Sequence, residues 1–255
     1  LYSMGVNEDG TKSNYKSNLH SNGAGLIGIS SNFGKNIKLQ YWNIIFDNVF
    51  NASLVQLDYL KPLDKKLALI AAIQAIGEFA INNGGNSNPS DTYMQKHHKA
   101  FTFGAKLGLN INQLECTFNY NRITADGRYL MPREWGRDPF FTFMPRERNE
   151  GLGDVNAVNM SIKYNLPKQH LKSTFTLGYY HLPDVKNYKL NKYGLPSYTQ
   201  MNLDIRYAFR NLLNGLEVQA LFVRKFDVGN TYHEYKYIFN KVDMNLYNLV
   251  LNYYF

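Results

Sequence analysis

Read backwards from its last residue, the chain alternates: Tyr247, Leu249, Leu251, Tyr253 and Phe255 interleave with Asn248, Val250, Asn252 and Tyr254. A period of two marks a β-strand, whose successive side chains point to opposite faces. The design recurs. Met201, Leu203, Ile205, Tyr207 and Phe209 oppose Gln200, Asn202, Asp204 and Arg206. Val158, Met160, Ile162 and Tyr164 oppose Asn159, Ser161, Lys163 and Asn165, while Phe101, Phe103, Ala105, Leu107 and Leu109 oppose Thr102, Gly104, Lys106 and Asn110. Leu114, Cys116, Phe118 and Tyr120 oppose Glu115, Thr117 and Asn119. The second face is too polar for a dry soluble core. A wall with hydrocarbon on one side and water on the other fits both faces.

Weaker alternation at 24–33, 37–46, 51–60, 171–181 and 215–226 extends the series to ten strands. Segment 66–81, KKLALIAAIQAIGEFA, is ambiguous, because its Ala and Leu also suit an apolar helix. Its alternating neighbours favour an eleventh strand. No stretch reaches the roughly 20 apolar residues of a membrane helix, the longest apolar run being Leu67–Ile73. Membrane strands need only about 9 to 11 residues, half of them polar, so the slightly hydrophilic average is no objection. Connections alternate in length, a second mark of a transmembrane barrel. Short turns fall near 34–36, 61–65, 110–113, 166–170 and 210–215, and long loops at 82–96, 124–155, 183–197 and 227–243. The expected fold class is therefore all-β, a transmembrane antiparallel β-barrel with about eleven strands in this chain.

The terminal aromatic at Phe255 resembles the C-terminal signature of bacterial outer-membrane proteins, which places the last strand's end in the periplasm. Counting back, the strand at 24–33 runs inward from outside. Residues 1–23 then read as an external loop remnant and 24–255 as the C-terminal portion of the barrel. A single-chain bacterial barrel has an even strand number and both termini inside. Eleven strands starting outside do not close, so an odd number of further strands is expected before Leu1, or from another chain. The absence of an initiator Met or signal peptide at Leu1 agrees with a processed or incomplete chain.

The loop at 124–155, TADGRYLMPREWGRDPFFTFMPRERNEGLGDV, is the expected pore constriction. It holds Arg128, Arg133, Arg137, Arg146 and Arg148, interleaved with Asp126, Glu134, Asp138, Glu147, Glu150 and Asp154. Two Pro-Arg-Glu repeats stiffen it, and Tyr129, Trp135, Phe140, Phe141 and Phe143 supply apolar area for packing against the barrel wall. The stretch REWGRDPFFTFMPRERNEG resembles the OprD-like specific-channel porins. That resemblance implies eighteen strands, seven of them preceding residue 24, and the Arg-rich loop as the seventh external loop. It also implies a ladder of basic lumen residues guiding carboxylate-bearing solutes. Lys38, Lys106, Lys163, Lys172 and Arg206 fall on the expected lumen face, beside Asp58, Glu115, Asp204 and Glu217. Arg suits the task because its planar fork binds a carboxylate by two hydrogen bonds and stays charged.

Competing readings are structural. The loop arginines would pair with the six acids of their own loop, and the lumen cations would be a solvated interior. The net charge of +8 is dispersed, which argues against nucleic acid. The single Cys116 excludes an intrachain disulfide. His97 and His98, adjacent and so pointing apart, read as external rim residues and not as a metal site. Ser173 and His181 share a face but lie too far apart for a catalytic pair. The expectation is a bacterial outer-membrane porin, not an enzyme and without cofactor or metal, passing small anionic or zwitterionic solutes by charge-selective diffusion. Its surroundings would be outer-membrane lipid, lipopolysaccharide and other envelope proteins. The alternative is a non-transporting barrel, a scaffold or receptor component of a larger outer-membrane complex.

Overall fold

The computed structural model describes residues 1–254, the Leu212 side chain excepted; the terminal Phe255 lies outside the described residues. Eleven strands follow one another: β1 (Ala24–Phe33), β2 (Ile37–Phe46), β3 (Phe50–Asp64), β4 (Leu67–Ala80), β5 (Lys99–Ile111), β6 (Leu114–Ile123), β7 (Val155–Leu166), β8 (Leu171–His181), β9 (Tyr198–Ala208), β10 (Leu216–Asp227) and β11 (Met244–Tyr253). They form one sheet in sequence order, every pair antiparallel. Among the described residues β1 pairs only with β2 and β11 only with β10. The ambiguous segment is strand β4. Its two ladders, to β3 and β5, outweigh the helix preference of its Ala and Leu residues, and polar Gln74 and Glu78 land on its buried face. β3 runs longer than its alternation, to a register shift between Pro62 and Asp64. Proline cannot donate to a ladder, so the shift falls there.

One end of the sheet has tight connections, helped by left-handed residues such as Gly34 (φ 65°) and Asn112 (φ 56°). The other end carries the long connections 81–98, 124–154, 182–197 and 228–243, while 47–49 is short. The two faces differ as the alternation requires. Phe103, Leu107, Phe118, Met160 and Leu249 are each more than half exposed on one face. On the other, Thr117, Asn119, Ser161, Thr176 and Asn202 are buried. An apolar face this extensive is not stable against water and belongs against lipid. No helix among the described residues is long and apolar enough to cross a membrane.

The polar face is the concave one, because a single connection, 124–154, hydrogen-bonds to β4, β7, β8 and β9 at once. The apolar core sits at the long-connection end and joins strand ends to loops. One cluster unites Ile76, Ala100, Ile123, Ala157, Tyr180 and Tyr198 with Tyr129, Phe140, Met144 and Leu152. A second unites Val49, Phe50 and Ala52 with Tyr15, Tyr93, Met94 and Leu130. Residues 1–23 pack there too, through Val6 N–H donating to the Lys192 carbonyl at 2.9 Å.

Met160 lies at the middle of β7 on the outer face, and Ser161 beside it faces inward, 3.1 Å from Thr176. Met160→Arg should cost about 2–4 kcal/mol in lipid vesicles, and Ser161→Ala about 1 kcal/mol for one lost hydrogen bond. Guanidinium unfolding in vesicles measures both, and a loss at Met160→Arg no larger than that at Ser161→Ala would overturn the assignment of Met160 to the lipid face.

Candidate functional site

Connection 124–154 leaves β6, turns into the concavity and returns to β7. Its two arms are zipped by Tyr129 N–H donating to Leu152 O (2.9 Å) and Gly151 N–H donating to Tyr129 O (2.7 Å). Tyr129, Phe140, Met144 and Leu152 are buried in the core, which fixes the tip against the wall. The tip presents carbonyls, and the wall presents amides and a phenol to meet them. Gln74 donates to Pro139 O at 3.0 Å. Asn159 and Tyr180 both donate to Thr142 O, at 2.9 and 2.7 Å. Gln200 and Asn202 both donate to Pro145 O, at 2.8 and 3.0 Å. Unpaired carbonyls at this depth would each cost about 1–3 kcal/mol, so the wall's polar residues specify where the loop sits. Gly104 makes room: a Cβ there would stand 3.2 Å from the Phe141 ring, over which Lys106 rests at 4.5 Å.

The loop arginines form no ion pair with the loop's own acids among the described residues. Asp154 instead pairs with Arg122 at 2.6 Å and Asp126 with Lys99 at 3.9 Å. Glu134 accepts from Tyr2 N–H, and Glu150 accepts from the Tyr193 hydroxyl. Arg128 departs from the expected constriction set. It is buried and donates to the carbonyls of Val6 (2.7 Å) and Asn7 (3.1 Å), so its fork clamps residues 1–23 to the mouth. Burial pushes its guanidinium down to about 10. His98 is also buried, 2.7 Å from Arg128 O and 3.4 Å from Glu8, and not a rim residue. Arg137 lies over Phe143 at 5.4 Å, and Arg148 over Tyr193 at 4.1 Å. The side chains of Arg133 and Arg146 are exposed and make no hydrogen bond or ion pair among the described residues.

These last two, with Arg148, Lys192, Lys225, Lys236 and Lys241, line a cavity of ≈ 640 Å³ between the loop and the β10–β11 wall. Glu147 is the one acid on its lining. Burial drives the Glu147 carboxyl well above the usual range, and nearby Asp138 adds to the rise. Burial likewise raises Asp138 to about 7, helped by Glu150, and raises Glu150 against the pull of Lys192. Burial pushes the Lys192 and Lys241 ammonium groups down as well, and Lys236 meets Glu234 at 2.6 Å, so the arginines carry the cavity's firmest positive charge. Lys192 is 3 % exposed, its ammonium set among the rings of Tyr15 (5.0 Å), Tyr93 (5.2 Å) and Tyr193 (5.8 Å). Sequence reasoning missed Lys192, Lys225, Lys236 and Lys241. Lys225 had a signal, its parity with Leu221 and Val223 on the inner face of β10, whereas the others are ordinary loop lysines.

Lys38, Lys106, Lys163, Lys172 and Arg206 all stand on the inner face, toward the tight-turn end. The register brings Lys172 directly opposite Arg206. Lys163 pairs with Glu115 at 2.8 Å and Arg206 with Asp204 at 3.2 Å, so those two are part of a balanced, solvated wall. Among the described residues no group of three His, Cys, Asp or Glu side chains is placed to hold a metal ion.

No protein-family model matches the chain, and no curated protein matches it. Solved structures do. OccAB4 of Acinetobacter baumannii superposes with a TM-score of 0.72 at 17% identity, over 91% of this chain and 53% of that one. The outer membrane protein opdK of Pseudomonas aeruginosa gives 0.71 at 12% identity, over 91% and 57%. OpdL of the same organism gives 0.70 at 11%, over 90% and 58%. The fold is that of the OprD-like porins. The chain spans about half the length of these OprD-like structures.

In this OprD-like fold the buried loop acids make packing at the mouth sensitive to pH. Between its ordinary 3.8 and about 7, folded Asp138 holds a proton that the unfolded chain has lost. Its contribution is largest at low pH and falls as pH rises through that window. Stability against guanidinium should therefore decline from about pH 4 to about pH 7, and Asp138→Asn should remove part of the decline. An unchanged slope in the variant would show that Asp138 is ionised in the folded loop.

Proposed function

We propose that this chain forms part of an outer-membrane porin through which small organic anions diffuse, using the basic cavity beside the inward-folded loop as the selective neck. The observation that supports this reading is the imbalance at that cavity: three arginines and four lysines against one carboxyl, whose proton affinity burial raises. Fixed cations in a narrow aqueous neck replace part of an anion's hydration shell and repel cations. Arg133 and Arg146 are exposed and free of ion pairs among the described residues, so their forks remain available to a carboxylate. Lys38 and Lys172 on the inner wall extend the favourable field toward the tight-turn end, which is the periplasmic side. Diffusion needs no catalytic step, cofactor or energy source.

In a bilayer the free edges of β1 and β11 require partner strands, because each unpaired backbone group in hydrocarbon costs several kcal/mol. The full channel is thus a closed barrel to which this sheet contributes eleven strands. Its outer face contacts lipid and, at the long-loop end, lipopolysaccharide. The inward packing of 124–154 supports a channel over a scaffold, in which the same loop would project outward to meet a partner.

Planar bilayers test the proposal. Ohmic single-channel steps should favour anions in about 0.1 M salt, where the screening length is ~10 Å, and lose most of that preference in about 1 M, where it is ~3 Å. Arg133→Ala with Arg146→Ala should reduce anion preference several-fold. Arg128→Ala should leave selectivity alone while loosening residues 1–23. Equal passage of anions and cations through the wild-type barrel would sink the reading.

A further inference from the structure

The chain has two tryptophans, and both line one cavity of ≈ 310 Å³ on the inner face. That placement is unusual, since tryptophan in membrane barrels gathers at the outer, interfacial girdles. Trp42 stands on the inner face of β2 and Trp135 on the inward loop, 40% and 41% exposed. Both rings are seated. Gly28 lies directly across the ladder from Trp42, and a Cβ there would come within 2.2 Å of the indole. The missing side chain is what lets the ring lie on the wall. Trp135 is braced by Phe46 and Phe50, with ring centroids 5.2 and 6.0 Å away.

Ile44, Leu54 and Ile76 complete an apolar wall where an aqueous lumen calls for polar groups. Gln40 and Gln56 also line the cavity, but both amides are engaged by Asp58 at 2.9 Å. One cation, Arg137, belongs to the lining; it is exposed and makes no hydrogen bond or ion pair among the described residues. No residue is shared with the larger basic cavity. The volume is at the lower end of small-molecule sites, which are mostly apolar with a few placed polar groups.

We propose that this cavity is a subsite for the apolar body of an amphipathic organic anion, held against Trp42 and Trp135 while Arg137 meets its charged end. The inference rests on the anion-passage reading and adds to it. The basic cavity selects by charge, and the tryptophan cavity selects among anions by what they carry besides the charge. Apolar area removed from water at both surfaces supplies the attraction, and Arg137 excludes cations of the same size.

The test is tryptophan fluorescence of the full-length barrel in vesicles, read as the signal lost in a Trp42→Phe/Trp135→Phe double variant. Benzoate and hexanoate should shift it saturably, acetate should not, and benzyl alcohol should bind about tenfold more weakly than benzoate for want of the charge. Arg137→Gln should weaken benzoate about tenfold and leave benzyl alcohol unchanged. Gly28→Val, which unseats Trp42, should weaken both ring compounds and leave the anion preference in bilayers intact. If that variant fails to insert, Trp42→Leu takes its place with the same expectation. Tryptophans already shielded from acrylamide without ligand would mean that the barrel's own chain fills the cavity, and the proposal falls. It falls equally if acetate matches hexanoate. Anion-selective channels without a titratable fluorescence change would remove the subsite and leave the function. A saturable change in channels without anion preference would do the reverse.

Discussion

A backbone in hydrocarbon finds no water to bond to, so every N–H and C=O of a membrane-crossing segment must be paired within the protein. That requirement governs this molecule. Ten antiparallel pairings satisfy it between β1 and β11, with one register shift at the Pro62 end of β3, and once the ladders are set the pleat decides everything else about the wall. Each residue is committed to lipid or to lumen by parity alone. A polar residue in the inner set costs little there, which is why the wall tolerates Asn, Gln, Thr and Lys at a density that no soluble core would accept.

The inner wall then serves two different purposes along its height. Toward the tight turns its charges are solvated and largely balanced, as the Lys163–Glu115 and Arg206–Asp204 pairs show. Toward the long connections it behaves like the core of a soluble protein, with tyrosines stacked at 4.7 Å (Tyr180 and Tyr198) and Ile76 and Ile123 clustered with the loop's Phe140 and Met144. Between the two regions lies the loop tip, whose proline and threonine carbonyls face down onto wall amides. Placing acids in the dry upper region raises their proton affinity, and the same dryness confines Lys192 among aromatic rings. The electrostatic character of the concave face therefore follows from where burial stops.

The strands were legible because parity is a local property. Even β4, whose composition suits a helix, became a strand through the ladders on both sides. The lumen face was legible for the same reason. The mouth was not, since its decisive contacts join residues far apart in the chain: Arg128 reaches Val6 across 122 positions, and Lys192 approaches Tyr15 across 177. No spacing rule shows that one arginine of five is a clamp while two are free, and no motif marks Lys192 or Lys241 as neighbours of Arg146. The arginine-rich loop could be recognised as important from its composition. Which of its side chains stay exposed in the concavity was decided by the other loops.

The tyrosine surround of Lys192 has a consequence for how such a barrel can diverge. Its three rings come from residues 1–23, from connection 81–98 and from connection 182–197, and Tyr193 in turn holds Glu150 of the arginine-rich loop. Surface loops ordinarily drift in length and composition independently of one another. Here three of them meet at a single ammonium and the fourth joins through the Tyr193–Glu150 hydrogen bond, so an insertion or deletion in any one is constrained by the shape of the remaining three. Variation between relatives with this arrangement is expected to be concerted across the mouth, with the strand-borne wall below left free to change one residue at a time.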